Sequence, residues 1–66
     1  MKNSLKIERA KKNFTQDDLA KLIGVSRQTI NSIESGRYVP STVLALKLSQ
    51  VFEKPVNDIF ELENSD

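Results

Sequence analysis

One glycine, Gly24, stands between two short runs whose apolar residues recur at helical spacing, and it limits what this chain can become. Before it, Leu19, Ala20 and Ile23 share one face; after it, Ile30 and Ile33 do the same. Thr15 is the expected N-cap of the earlier run, with Asp18 as a short version of the capping-box acid. Asp17 and Asp18 also put negative charge where a helix dipole favours it. Gly24 takes a left-handed conformation at low cost and ends that helix. Ser26 can cap the next one, Arg27 to Glu34, which Ser35-Gly36 stops. Two helices of about two turns each, joined by Gly24-Val25-Ser26, follow.

That unit is a tight helix-turn-helix spanning roughly residues 15–34. A first helix is expected from about Ser4 to Lys12, with Leu5, Ile7 and Ala10 its few apolar residues. Pro40-Ser41 opens a fourth, from Thr42 to about Phe52. Its Val43, Leu44, Ala45, Leu46, Leu48, Val51 and Phe52 fit no single stripe, so it is expected to be covered on more than one side. Pro55 suits the first turn of a short fifth helix running through Phe60. The tail Ile59-Phe60-Glu61-Leu62-Glu63 alternates apolar and acidic residues, which suits a short strand and a frayed end alike. The expected fold is all-α: one compact five-helix domain over residues 1–66, with a short C-terminal β-strand or ribbon left open.

Composition narrows the function. A chain of 66 residues buries only about 60% of its unfolded surface, so the core is thin. Neither cysteine nor histidine occurs, which removes disulfides, thiolate metal sites, the usual general base and the usual zinc ligand. No enzyme, metal or cofactor is expected. Asp17-Asp18 is no catalytic dyad, because adjacent helical residues point in different directions. No apolar stretch is long enough to span a membrane, and no signal-peptide run opens the chain, so a cytoplasmic setting is the default. The net charge of +1 hides an asymmetry. Through Arg37, eight basic residues face four acidic ones; from Tyr38 onward, two face five. A basic face for a polyanion gives that split, and so do scattered solvated charges.

The helix from Arg27 to Glu34 carries the functional argument. At about 100° per residue, Ile30 and Ile33 lie about 60° apart and set the buried direction. Gln28 then points away from the core, flanked by Asn31 and Ser32, with Arg27 and Thr29 at the sides. Amides, a guanidinium and a threonine methyl are the groups that read base edges. No aromatic or aliphatic anchor, such as a protein-binding face carries, stands among them. Plain contact with water accounts equally well for the polarity taken alone.

The string from Thr15 to Gly36 strongly resembles the phage-repressor and Cro-like helix-turn-helix family, called XRE-type. Gln16, Leu19-Ala20, Gly24-Val25-Ser26, Thr29-Ile30, Ile33-Glu34 and Gly36 carry the match, and Pro40-Ser41 and Ile59-Phe60 extend it over nearly the whole chain. The length and ending look like the small stand-alone dimeric regulators that add a C-terminal β-ribbon, such as the cytolysin repressor. The resemblance implies a lambda-repressor-like domain that binds double-stranded DNA. It implies that Gln16 bonds a phosphate, that Arg27, Gln28 and Ser32 reach bases, and that Thr29 reaches backbone or a thymine methyl. Ser35, Gly36 and Arg37 would meet the DNA backbone again, and Arg9 and Glu34 would form a structural ion pair. Glu8 departs from the pattern, standing where many relatives carry an aliphatic residue, with Ile7 the substitute.

Plainer roles stand beside these. Thr15 and Ser26 are caps first, each with an added phosphate contact in view; Gly24 is structural; Tyr38 packs on the loop or touches a phosphate, with packing favoured; Lys6, Lys11 and Lys12 form a solvated face. The leading expectation is a transcriptional regulator that binds a near-palindromic operator as a homodimer. One such helix reads too few base pairs to single out a site in a genome, whereas two copies suffice. Leu46, Val51, Ile59, Phe60 and Leu62 are the expected dimer interface. The alternative is an antitoxin-type autoregulator that also binds a protein of unknown identity.

Overall fold

The computed structural model describes all 66 residues. A two-residue strand, β1 (Lys2–Asn3), leads into four helices: α1 (Leu5–Lys11), α2 (Gln16–Ile23), α3 (Arg27–Glu34) and α4 (Thr42–Phe52). A 3₁₀ turn (Val56–Asp58) and a second short strand, β2 (Phe60–Glu61), complete the chain. β1 and β2 pair antiparallel, Lys2 opposite Glu61 and Asn3 opposite Phe60.

Four helices and a strand pair replace the expected five-helix, all-α domain. Pro55 is extended (φ −58°, ψ 149°), no side chain caps the turn that follows, and only Val56–Asp58 coil. Their bonds, Asp58 N to Pro55 O at 2.9 Å and Ile59 N to Val56 O at 3.0 Å, are 3₁₀ bonds. One uncapped turn cannot meet the cost of nucleating an α-helix. Phe60 instead gains ladder bonds from the beginning of the chain, so of the two alternatives left open the tail forms the short strand and not a ribbon of its own.

The core gathers one or more residues from every helix: Leu5, Leu19, Ala20, Ile23, Ile30, Ile33, Leu48 and Phe52, closed by Ile59 and Phe60. Local chemistry sets each element. Thr15 and Asp18 exchange bonds in a complete capping box, Asp18 N to Thr15 Oγ1 at 3.0 Å and Thr15 N to Asp18 Oδ2 at 2.9 Å. The backbone bond from Thr15 holds the Asp18 carboxyl below its usual pKa. Gly24 ends α2 at φ +74°. Ser26 and Ser41 cap α3 and α4 by accepting from Thr29 N at 3.1 Å and Leu44 N at 3.2 Å. α4 stops at Glu53, left-handed at φ +54° without glycine's freedom.

Three expectations about packing are corrected. In α1, Ile7 is exposed and Glu8 is buried. Leu5 fixes this: Glu8 lies about 60° from it around the helix and Ile7 about 160°. The Glu8 carboxylate accepts from Lys54 Nζ at 2.9 Å, with Lys11 Nζ at 3.6 Å. Ile59 and Phe60, assigned to a dimer interface, lie inside the single chain, 2% and 8% exposed, because the strand pair folds them onto the core. α4 in turn leaves Val43 and Leu46 open, so a single chain does not cover it on several sides.

Candidate nucleic-acid interface

α3 is held by Ile30 and Ile33, both essentially inaccessible, which turns its opposite face outward. Arg27, Gln28 and Asn31 are exposed there, while Thr29 and Ser32 are half-buried at its edges. Ser26 Oγ and Thr29 Oγ1 are 2.9 Å apart, so the Thr29 hydroxyl is occupied within the turn and its methyl remains for apolar contact. Ser35, Gly36 and Arg37 follow, all exposed. Arg37 folds back along the helix, donating from Nη2 to Asn31 Oδ1 at 3.2 Å and from Nε to Ser35 Oγ at 3.0 Å. The residues from Arg27 to Arg37 thus form one continuous polar surface.

A carboxylate organises the flank of that surface. Glu34 accepts from Arg9 Nε at 2.7 Å and from Gln16 Nε2 at 3.1 Å. Arg9 Nη1 also donates to Phe14 O at 2.8 Å. Gln16 therefore opens α2 with its amide oriented by the end of α3. Arg9, Thr15, Gln16, Asp17 and Arg27 line a polar cleft of about 520 Å³ beside the reading face. The α2 N-terminus and the Arg27 guanidinium favour phosphate there, while the Arg9 charge is already paired with Glu34 and the Asp17 carboxylate opposes it.

Two further residues border this surface. Tyr38, half-exposed at 45%, borders a shallow depression with Gln28, Thr29 and Ser32 rather than packing inside. Asn3, in β1, donates from Nδ2 to the Ile33 carbonyl at 2.9 Å. An asparagine just before a helix signals a local cap, but its partner near the end of α3 is not readable from spacing. Of the residues assigned to a dimer interface, Leu46 and Leu62 are exposed and Val51 is half-buried. Leu46 borders an apolar groove of about 290 Å³ that Val39, Pro40, Ala45 and Val56 also line.

A helix-turn-helix family model matches residues 5–59. An HTH-type transcriptional regulator of Methanocaldococcus jannaschii is 53% identical over 66 residues, the full length of both chains. Another, of Bacillus subtilis, is 44% identical over the full length of both. The ImmF control region 10 kDa protein of Bacillus phage phi105 is 34% identical over 53 residues, 80% of this chain and 59% of its own. Among solved structures, the SOS-response transcriptional repressor LexA of Eubacterium rectale superposes with a TM-score of 0.80 at 32% identity. That match covers 94% of this chain and 66% of the LexA chain.

Proposed function

The chain belongs to the XRE-type helix-turn-helix family of DNA-binding transcriptional regulators, and on that premise we propose that it binds a near-palindromic operator as a homodimer. α3 enters the major groove of each half-site. Arg27, Gln28, Asn31 and Ser32 read base edges, and Thr29 offers its methyl to thymine. Gln16, Ser26, Ser35, Gly36 and Arg37 hold the DNA backbone and set the register. The protein works in the cytoplasm as a binding protein, not as an enzyme, and no helix is long and apolar enough to cross a membrane. The observation that carries this reading is the outward polar face of a helix whose other face is anchored by Ile30 and Ile33.

Selection of bound sites from a random DNA pool tests it, with Gln28→Ala as the diagnostic variant. The Gln28 side chain is exposed and makes no hydrogen bond within the chain, so its loss should change stability by no more than about 0.5 kcal/mol. On the selected operator it should cost about 1–3 kcal/mol in each half-site, with non-specific DNA bound as before. Wild-type selection without any preferred sequence overturns the reading.

Val39, Val43 and Leu46 are all more than half exposed, which supports an apolar interface at α4. In a homodimer this face meets its twin and places the half-sites about 34–36 Å apart. The second reading, an antitoxin-type autoregulator, puts a partner protein there instead. Sedimentation at micromolar concentration separates them: a strict monomer, still monomeric on DNA, excludes the homodimer.

A further inference from the structure

The last carbonyls of α3 have no partners in their own helix and must find them elsewhere. The Asn31 carbonyl accepts from Ser35 N at 3.0 Å, and that of Ser32 from Arg37 N at 3.0 Å and Tyr38 N at 3.2 Å. These donors belong to the loop that follows. The Ile33 carbonyl accepts from Gly36 N at 3.0 Å and also from Asn3 Nδ2 at 2.9 Å. Asn3 is the one donor reaching these carbonyls from a distant part of the chain. The other end of its amide is also engaged: Oδ1 accepts from Leu5 N at 3.1 Å, where the N-cap Ser4 offers no side-chain bond.

Asn3 is itself fixed. It sits opposite Phe60 in the strand pair, and the next residue, Ser4, donates from its amide to Ile59 O at 2.9 Å. The loop behind α3 runs against the same segment. A Cβ placed on Gly36 would stand 3.8 Å from the Met1 carbonyl, an ordinary contact. A short planar amide therefore joins three pieces: the strand pair, the first turn of α1 and the last turn of α3.

We propose that Asn3 is a positioning residue for DNA recognition, setting where the C-terminal end of α3 and its Ser35-Gly36-Arg37 loop sit against the duplex. The proposal rests on the reading of α3 as the base-reading helix. α3 is only eight residues long, and its N-terminal half is held by Ser26, Ile30 and the turn. Its far end has Ile33, the Glu34 carboxylate network and Asn3. Without the Asn3 bond the Ile33 carbonyl keeps its local partner and Glu34 keeps Arg9, so the helix survives, but its end loses its tie to the strand pair and can shift against it. Base reading depends on sub-ångström placement, and phosphate attraction does not. Loss of Asn3 should therefore reduce discrimination more than general DNA affinity.

Two variants isolate the bond. Asn3→Ala loses both ends of the amide. Asn3→Asp keeps an oxygen for Leu5 N but at neutral pH has no proton to donate to Ile33. Each is measured on the operator selected with the wild type and on unrelated DNA, at a temperature where it is fully folded. The expected result is a fall of about tenfold or more in the ratio of the two affinities for both variants, with faster amide exchange at Gly36 and Arg37. Only Asn3→Ala should also speed exchange at Leu5. A merely structural residue would lower the melting temperature and leave that ratio unchanged. Equal discrimination by wild type and Asn3→Asp overturns the proposal, whereas a wild type that selects no sequence overturns the reading of α3 instead. If neither variant folds, the wild type decides: one of the two Asn3 Nδ2 protons should exchange at least tenfold more slowly than its partner. Two equally fast protons overturn the bond.

Discussion

Glu34 brings one carboxylate to three donors: Arg9 Nε at 2.7 Å, Arg9 Nη2 at 3.4 Å and Gln16 Nε2 at 3.1 Å. The Glu34 side chain is 7% exposed and that of Arg9 15%, so neither charge is screened as a surface pair would be. Glu34→Ala leaves the guanidinium with only the Phe14 carbonyl. Removing one partner of a buried pair costs about 3–5 kcal/mol. At about 4–8 °C per kcal/mol for a domain this small, the melting temperature should fall by more than about 10 °C. A thermal unfolding curve within about 2 °C of wild type would show that solvent already screens the pair. The pair was legible through the family resemblance and not through helical periodicity, which puts Glu34 near the buried side without naming a partner. Asn3 was not legible at all, and Tyr38 only as a residue that packs on its loop or touches a phosphate. Their positions depend on chain segments that meet only after folding, and neither residue type announces its contact.

The helices were legible where a local device sets them. α2 begins at the Thr15 capping box and ends at Gly24, α3 begins at Ser26 and α4 at Ser41, and all four signals lie within a few residues of the ends they fix. The end of α4 carries no such signal. Glu53 takes a left-handed conformation there at φ +54°, which costs a residue with a Cβ about 1–2 kcal/mol and glycine much less. Glu53 is exposed, so Glu53→Gly loses little packing. It should stabilise the protein by about 0.5–1 kcal/mol and raise the melting temperature by a few degrees, read by calorimetry. A decrease would mean that the Glu53 side chain contributes more than its backbone costs. The mistaken fifth helix has the same origin. Pro55 suits the start of a helix, but whether the helix continues depends on whether Phe60 finds a strand partner, and that partner lies at Lys2–Asn3.

At the scale of the molecule, Glu8 and Lys54 tie α1 to the segment after α4 with a bond of 2.9 Å. The hydrogen bond from Lys54 is the largest influence on Glu8 and holds its carboxyl below the ordinary value of 4.5, against the opposing effect of desolvation. The same bond raises Lys54 above its ordinary 10.5. Stability from Glu8 is therefore fully present above about pH 4.5 and is lost as pH falls through its lower folded value. Stability from Lys54 is present below about 10.5 and is lost as pH rises through its higher folded value. The N-terminal amine, raised above its ordinary 8.0 by hydrogen bonds to Glu63 and Asp66, begins to lose its own contribution above about pH 8, so the melting temperature should form a plateau between about pH 4.5 and 8 and decline on either side. Glu8→Gln should make the acid side shallower, leaving the contributions of Asp18 and Asp66, also held low, in place. An acid limb as steep as the wild type's would assign the loss to other carboxylates. The sequence singled out Glu8 as anomalous but looked to Ile7 for the repair. A buried carboxylate needs a cation beside it; Lys11 is a local one, but Lys54, which makes the shorter contact, has no local relation to α1.

The strand pair also governs the order in which the chain assembles. α2 and α3 meet across a three-residue turn, whereas almost the whole chain separates Asn3 from Phe60. Closing a loop of roughly 60 residues costs on the order of 4 kcal/mol in chain entropy, and a ladder two residues deep returns little of it. Folding is therefore expected to begin at the helix pair, with the two ends joining last. A closure that forms last is also the first to open under native conditions, by local fraying rather than global unfolding. The protein's least durable joint is then the one that links its first and last segments, with the helix pair still intact beside it.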